Sequence, residues 1–115
     1  MRDFNGTLQY NGKEYKLVFN LNVMELIQEE FGSTEQWGAL TDGTQGEPSA
    51  KAVKFGLCAM LNEGIDMENE ENGTQVPLFT TKQIGRILSE IGEKNALQAI
   101  NKTVVQSVQT ETKNA

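Results

Sequence analysis

The dipeptide Asn11-Gly12 lies between two short runs in which polar and apolar residues alternate, at residues 7–10 and 13–19. Asn-Gly favours a two-residue type I′ turn, because both central residues of that turn have positive φ. The pattern therefore predicts an N-terminal β-hairpin over residues 7–19. A lone hairpin is barely stable in water, so it must either pack on the rest of this chain or pair with another chain. Packing on its own helices is the favoured alternative.

The alternation in the second strand also assigns its side chains to two faces, because successive side chains of a strand point to opposite sides. One face is predicted to carry Tyr15, Leu17 and Phe19. The other face is predicted to carry Glu14, Lys16 and Val18.

A capped helix is predicted directly after the hairpin, at residues 23–31. Either Asn20 or Asn22 can cap this helix. Asn22 is favoured because Glu25, three residues further on, completes a pattern like a capping box. The residues at the spacing of a hydrophobic staple are then Leu21 and Leu26.

Further start and stop signals divide the rest of the chain into helices. Serine or threonine favours an N-cap, and glycine favours the end of a helix. The prediction is a short helical piece at 34–40 after Ser33, helices at 50–62 after Ser49 with a stop at Gly64 and at 81–91 after Thr80 with a stop at Gly92, and a last helix from near Glu93. Gly32 is the predicted stop of the first helix, and residues 41–48 are predicted to form an exposed loop.

An acidic segment follows the predicted stop at Gly64. Residues 63–77 contain five acidic residues, and no basic residue lies between Lys54 and Lys82. Such a charge run predicts a solvated, mobile loop. Its spacing begins like an EF-hand calcium loop, but Glu71 stands where glycine is needed and Pro77 where the bidentate glutamate is needed. No metal site is therefore predicted.

Composition narrows the possible functions. The chain has 115 residues, a formal net charge of −6 and no histidine. The acidic balance disfavours binding to nucleic acid and to anionic membranes. Without histidine, the chain lacks the commonest general base and the commonest metal ligand. No catalytic residue and no cofactor is predicted.

The single cysteine, Cys58, lies in an apolar helix without a histidine partner. This context is typical of a buried core residue and not of a nucleophile. A lone cysteine cannot form an intrachain disulfide, and no signal peptide or membrane span is evident. The sequence therefore predicts a cytoplasmic protein.

These signals together predict an α+β fold that is mainly α. We expect one domain over residues 1–115, with an N-terminal β-hairpin followed by a helical part of about four helices at 22–108. A frayed tail is expected at 109–115, where the chain turns polar.

The stretch 15–32 resembles the opening of phage tail assembly chaperones from long-tailed phages and prophages of Gram-positive bacteria. The matching residues are Leu17, Phe19, Leu21 and Asn22 in an L-x-F-x-L-N step, then Glu29 or Glu30, Phe31 and Gly32 in an E-x-F-G helix end. Residues 55–64 and 79–88 resemble the family's middle helix and its T-x-x-x-I-G-x-I-L helix. The likeness extends over residues 7–105, and the acidic insert at 63–75 departs from it.

The resemblance implies a non-enzymatic protein that binds the tape-measure protein during tail assembly. The tail-tube protein is a second candidate partner, and self-association is left open. The protein would act in the cytoplasm of the bacterial host and be absent from the mature virion. The alternative is a small structural virion, neck or tail protein that assembles through its hairpin. A small enzyme is the least favoured reading of these residues.

Five residues are the predicted protein-binding positions: Leu17, Phe19, Phe31, Trp37 and Leu40. Leu17 and Phe19 lie at the edge of the predicted hairpin. Phe31, Trp37 and Leu40 either form an exposed apolar patch or belong to the core, because tryptophan is frequent at interfaces and a small domain also needs its aromatic residues inside.

Overall fold

The structure is a computed structural model that describes the backbone of residues 5–42 and 46–114 and the side chains of residues 6–42 and 46–105. Over this part of the chain, two strands precede five helices, so the predicted α+β, mainly α fold is confirmed. The elements are β1 (Asn5–Tyr10), β2 (Lys13–Val18), α1 (Leu21–Phe31), α2 (Thr34–Thr41), α3 (Ala50–Asn72), α4 (Thr81–Ile91) and α5 (Glu93–Asn114). Residues 43–45 of the predicted loop at 41–48 lie outside the described residues.

The predicted hairpin is confirmed. Strands β1 and β2 pair antiparallel, with Leu8 opposite Tyr15 and Tyr10 opposite Lys13. The two turn residues, Asn11 and Gly12, have φ values of 57° and 76°. Positive φ at both positions is what a type I′ turn requires.

The hairpin packs on two helices of its own chain, α5 beside β1 and α3 beside β2. Two glycines lie at the closest approaches. A Cβ built on Gly6 would lie 2.5 Å from Oγ1 of Thr103, and one built on Gly64 would lie 2.8 Å from the carbonyl oxygen of Lys16. These contacts confirm the prediction that the hairpin packs on its own helices.

Both faces of β2 are buried at its C-terminal end. Leu17 is fully buried, and Val18, which points to the opposite side, is buried as well. Both faces of the hairpin are therefore enclosed where β2 runs into α1.

Helix α1 is capped by Asn20, so the predicted cap at Asn22 is wrong. The Asn20 side chain accepts a hydrogen bond from the backbone N–H of Val23 at 3.2 Å. The helix starts two residues earlier than predicted, and Asn22 lies within it. Leu21 is 77% exposed and Leu26 is 46% exposed, so the predicted staple between them does not form.

Helix α3 continues through most of the segment that was predicted to be an acidic mobile loop. It ends at Asn72, and Gly73, with φ of 65°, is its left-handed stop. Gly64 is buried inside the helix, where its missing Cβ makes room for Lys16. The prediction failed because Met and Glu are good helix formers and because Ile65 contributes a buried residue one position later.

The remaining caps agree with prediction. Ser33, Ser49 and Thr80 each accept a hydrogen bond from the backbone N–H three residues ahead, and Thr80 forms a full capping box with Gln83.

Helix α5 begins at Glu93 as expected, but it extends to Asn114 and not to 108 as predicted. The backbone at 109–114 is helical, and Ala115 lies outside the described residues.

Helix α3 is the centre of the fold, as its broad apolar surface predicted. It contacts β2 and the other four helices. Its fully buried side chains are Ala52, Val53, Leu57, Met60 and Leu61. The core is completed by buried side chains from the other elements, among them Leu17, Val23, Ile27, Ile84 and Ile100.

Candidate functional site

Three of the five predicted binding residues belong to the core. Trp37 is 3% exposed, and its Nε1 donates a hydrogen bond to the carbonyl oxygen of Ala52 at 2.9 Å. Its ring stacks on Phe19, with 6.4 Å between ring centroids, and it lies directly over Gly56. Leu17 is fully buried in the same cluster. Leu17, Phe19 and Trp37 therefore offer no exposed surface in this fold.

The other two predicted residues, Phe31 and Leu40, are half-buried and pack against the edge of that core. The Phe31 ring meets Phe55 edge to face, with 5.4 Å between centroids. Because Trp37 is buried, the predicted exposed patch of Phe31, Trp37 and Leu40 does not form. The alternative, that these aromatic residues serve the core, is confirmed for Trp37.

An apolar groove of about 320 Å³ opens instead between α1, α3 and the start of α4. We call it the Leu26–Leu78 groove. Its lining residues are Leu26, Phe55, Cys58, Ala59, Asn62, Glu63, Asp66, Leu78 and Thr81. Leu26 comes from α1 and is 46% exposed, while Leu78 precedes α4 and is 48% exposed. Large aliphatic side chains exposed in a concave surface are typical of a site that binds an apolar group.

The segment that carries Leu78 is fastened to α3 by two asparagines. Asn62 donates to the carbonyl oxygen of Phe79 at 2.9 Å and accepts from its backbone N–H at 2.8 Å. Asn69 pairs in the same way with Val76, at 3.0 Å for each bond. Leu78 is thus held between two fixed points, Val76 and Phe79, and these bonds position it in the wall of the groove.

Among the described residues that line the groove are two carboxylates, Glu63 and Asp66, and no lysine or arginine. Glu63 Oε2 accepts hydrogen bonds from the side-chain amides of Asn20 at 2.7 Å and Asn22 at 3.1 Å. These bonds hold the Glu63 carboxylate beside the N-terminus of α1, where the helix dipole favours a negative charge.

Neither groove carboxylate forms an ion pair with a basic side chain in the described part of the chain. Within residues 6–42 and 46–105, the ion pairs join Lys16 to Glu68 at 3.9 Å and Lys51 to Glu30 at 3.2 Å. The Leu26–Leu78 groove is therefore apolar with an acidic rim.

Cys58 lies half-buried among the lining residues, with Sγ 3.8 Å from the carbonyl oxygen of Phe79. Burial raises the pKa of the Cys58 thiol above its ordinary value of 9.0. The thiol is therefore protonated at neutral pH. A protonated thiol is a poor nucleophile, so Cys58 contributes apolar surface to the groove.

The residues that line the groove were missed at the level of sequence. Leu26 is predicted to form a staple, and Leu78 directly follows the predicted acidic loop at 63–77. A signal is present for Leu26, since its spacing of three residues from Val23 puts it at the side of the apolar stripe of α1. The sequence also contains a signal for the two asparagines, because Asn62 and Asn69 are seven residues apart and so share one face of α3.

No group of three or more His, Cys, Asp or Glu side chains is placed to hold a metal ion in the described part of the chain. Each buried side-chain nitrogen or oxygen described there has a hydrogen-bond partner. None of the helices in that part is long and apolar enough to cross a membrane.

Comparison of the chain with protein-family models, with curated proteins and with solved structures found no match.

Proposed function

We propose that this chain is a phage tail assembly chaperone, a non-enzymatic protein that binds the tape-measure protein during tail morphogenesis. The proposal originates in the resemblance of residues 7–105 to that family. The observation that supports it most strongly is the Leu26–Leu78 groove, where two large aliphatic side chains are about half exposed in a concave surface. A chaperone that recognises an apolar client needs such a surface.

The proposed mechanism is the temporary covering of apolar surface on a long helical client. A tape-measure chain exposes apolar faces until tail-tube subunits surround it, and exposed apolar faces aggregate. A bound copy of this chain would bury part of one face in its groove. Its net charge of −6 would keep the complex dispersed until the tube protein takes over. This action belongs in the cytoplasm of the bacterial host, before the virion is complete.

The alternative of a structural tail or neck protein assembling through its hairpin receives less support. That role needs a strand edge free to pair with another copy. Here the hairpin packs on α5 at Gly6 and on α3 at Gly64, so part of its surface is already covered by helices of its own chain.

The proposal is tested by co-expressing this chain with the other proteins of the tail-gene cluster that encodes it. Affinity capture followed by mass spectrometry should recover the tape-measure protein. The same tape-measure protein, expressed alone, should precipitate. Recovery of neither tape-measure nor tube protein, with light scattering showing a stable ring of this chain, would favour the structural alternative. Mass spectrometry of purified virions should detect the tape-measure protein and not this chain.

A further inference from the structure

We propose that the Leu26–Leu78 groove binds a single amphipathic helix whose apolar stripe is flanked by lysine or arginine. The identity of the natural ligand, a segment of the tape-measure protein, rests on the proposed function. The chemistry of the ligand does not rest on the proposed function, because it follows from the shape, polarity and charge of the groove.

The apolar part of the ligand is indicated by the lining. Leu26 and Leu78 are the most exposed large hydrophobic side chains of the groove, and Phe55, Cys58 and Ala59 on α3 add half-buried apolar surface to it. Asn62 is the amide side chain of the lining; it accepts from the backbone N–H of Phe79 and donates to the Phe79 carbonyl oxygen and to Sγ of Cys58. The apolar side chains of the lining therefore favour aliphatic anchors.

A helix fits the groove better than an extended peptide does. An added strand needs backbone N–H and C=O groups with which to pair, and the groove is lined chiefly by residues of the helix α3. The backbone groups of Val76 and Phe79 in the neighbouring segment are bonded to Asn69 and Asn62. A bound strand would therefore leave its own backbone unsatisfied, whereas a helix satisfies its backbone internally.

The length of the groove agrees with this choice. Its lining on α3 extends from Phe55 to Asp66, which at a rise of about 1.5 Å per residue is about 16 Å, or three helical turns. A ligand helix of three turns presents anchors at positions i, i+3 or i+4, and i+7 over a similar distance.

The charge of the ligand is indicated by the rim. Glu63 and Asp66 line the groove, no basic side chain does, and neither carboxylate forms an ion pair with a described residue. Lysine or arginine beside the apolar stripe would meet these carboxylates, whereas an acidic flank would be repelled. Exposed charges are screened by salt, so binding should weaken as ionic strength rises.

The test uses designed helical peptides of about four turns that carry leucine at i, i+3 and i+7 and lysine beside the stripe. A matched peptide replaces each lysine with glutamate. Binding is measured by fluorescence anisotropy, and occupancy of the groove by protection of Cys58, the only cysteine, from alkylation. The lysine peptide should bind and protect Cys58, and the glutamate peptide should do neither.

Variants then locate the site. Leu26→Ser and Leu78→Ser should each weaken binding about fivefold, and the double variant about 25-fold, because each removes apolar surface that the ligand would bury. The matched control is Leu21→Ser, on the same helix and more exposed but outside the lining. It should leave affinity unchanged. Asp66→Asn, which preserves the apolar lining, should weaken binding of the lysine peptide about threefold and reduce its salt dependence.

The outcomes separate this inference from the proposed function. Capture of the tape-measure protein that is lost in the double variant and kept in Leu21→Ser supports both. Undiminished capture by the double variant overturns the groove and leaves the proposed function standing. Peptide binding that depends on Leu26 and Leu78, without capture of any tape-measure protein, supports the groove and overturns the proposed function. Equal binding of the two peptides, binding of neither, or a dimer of this chain that the double variant dissociates would overturn the groove proposal.

Discussion

Asn62 on α3 pairs with both backbone polar groups of Phe79, seventeen residues further along the chain, through bonds of 2.9 and 2.8 Å. The amide side chain takes the place that a neighbouring strand would occupy in a sheet. It holds the connection between α3 and α4 in one position, with the Tyr15 ring packed edge to face on Phe79 at 5.5 Å between centroids. One side chain thus links the central helix, the hairpin and the wall of the groove.

Asn62→Ala should therefore destabilise the fold. It leaves the N–H of the half-buried Phe79 without a partner and its C=O with only the weak thiol donor of Cys58, at a cost of about 1–3 kcal/mol. Urea denaturation followed by circular dichroism measures the change. Asn69→Ala is the matched control, since Asn69 makes the same pair of bonds at the exposed Val76, where water can replace them. A loss for Asn69→Ala that equals or exceeds that for Asn62→Ala would contradict this account.

Gly64→Ala should destabilise the chain although alanine is the better helix former. The new Cβ would lie 2.8 Å from the carbonyl oxygen of Lys16, and a backbone atom cannot move aside without shifting β2. We expect a loss of about 1–3 kcal/mol in the free energy of unfolding.

Gly38→Ala is the control for this change, because Gly38 lies within α2 and a Cβ there meets nothing within 4 Å. Its free energy of unfolding should rise by up to about 1 kcal/mol. Thermal melts of the two variants should therefore shift in opposite directions. A raised melting temperature for Gly64→Ala would show that the hairpin does not press on α3.

Asn20→Ala should cost more stability than Asn22→Ala. Both substitutions remove a hydrogen bond to Glu63, but only Asn20 also caps α1 through the N–H of Val23. Loss of an N-cap costs about 1 kcal/mol beyond the shared effect. Chemical denaturation of the pair measures the difference, and equal losses would restore Asn22 as a candidate cap.

The Cys58 thiol should react more slowly in the folded chain than in the unfolded one. Burial raises its pKa, so the reactive thiolate forms only at higher pH when the chain is folded. Iodoacetamide labelling followed by mass spectrometry should give a midpoint at higher pH for the folded protein than for the protein in urea. Equal labelling midpoints for the folded and unfolded protein would show that the thiol is exposed to solvent in the fold.

The same shift has a consequence for stability. The unfolded chain releases the Cys58 proton at lower pH than the folded chain does, so the free energy of unfolding contains a contribution that falls as pH rises above the unfolded pKa. Other groups also titrate in this range. The contribution of Cys58 is therefore the difference between the wild type and Cys58→Ala in how the free energy of unfolding changes with pH. Parallel profiles would show that Cys58 makes no such contribution.

The sequence predicted those features whose signals are local. Asn11-Gly12 requires positive φ at both positions wherever it forms a hairpin, and Thr80 with Gln83 completes a capping box within four residues. Such signals need no knowledge of distant residues.

Features that depend on distant contacts were predicted incorrectly or missed. Asn20 and Asn22 are both able to cap, and the choice between them depends on how α1 meets Glu63, more than forty residues away. Gly64 has the local character of a helix stop, but it lies inside α3 because β2 needs the space. The groove was missed for the same reason, since Leu26 and Leu78 become neighbours only when Asn62 fastens Phe79 to α3.

The packing of β1 on α5 delays completion of the fold during translation. The ribosome releases the N-terminal hairpin first, yet Gly6 packs against Thr103, nearly a hundred residues later. Until that residue emerges, one side of the hairpin lacks its cover, and such a hairpin is only marginally stable. A nascent chain stalled before α5 would therefore leave β1 open to proteases and to other strands, and completion of the last helix closes the fold.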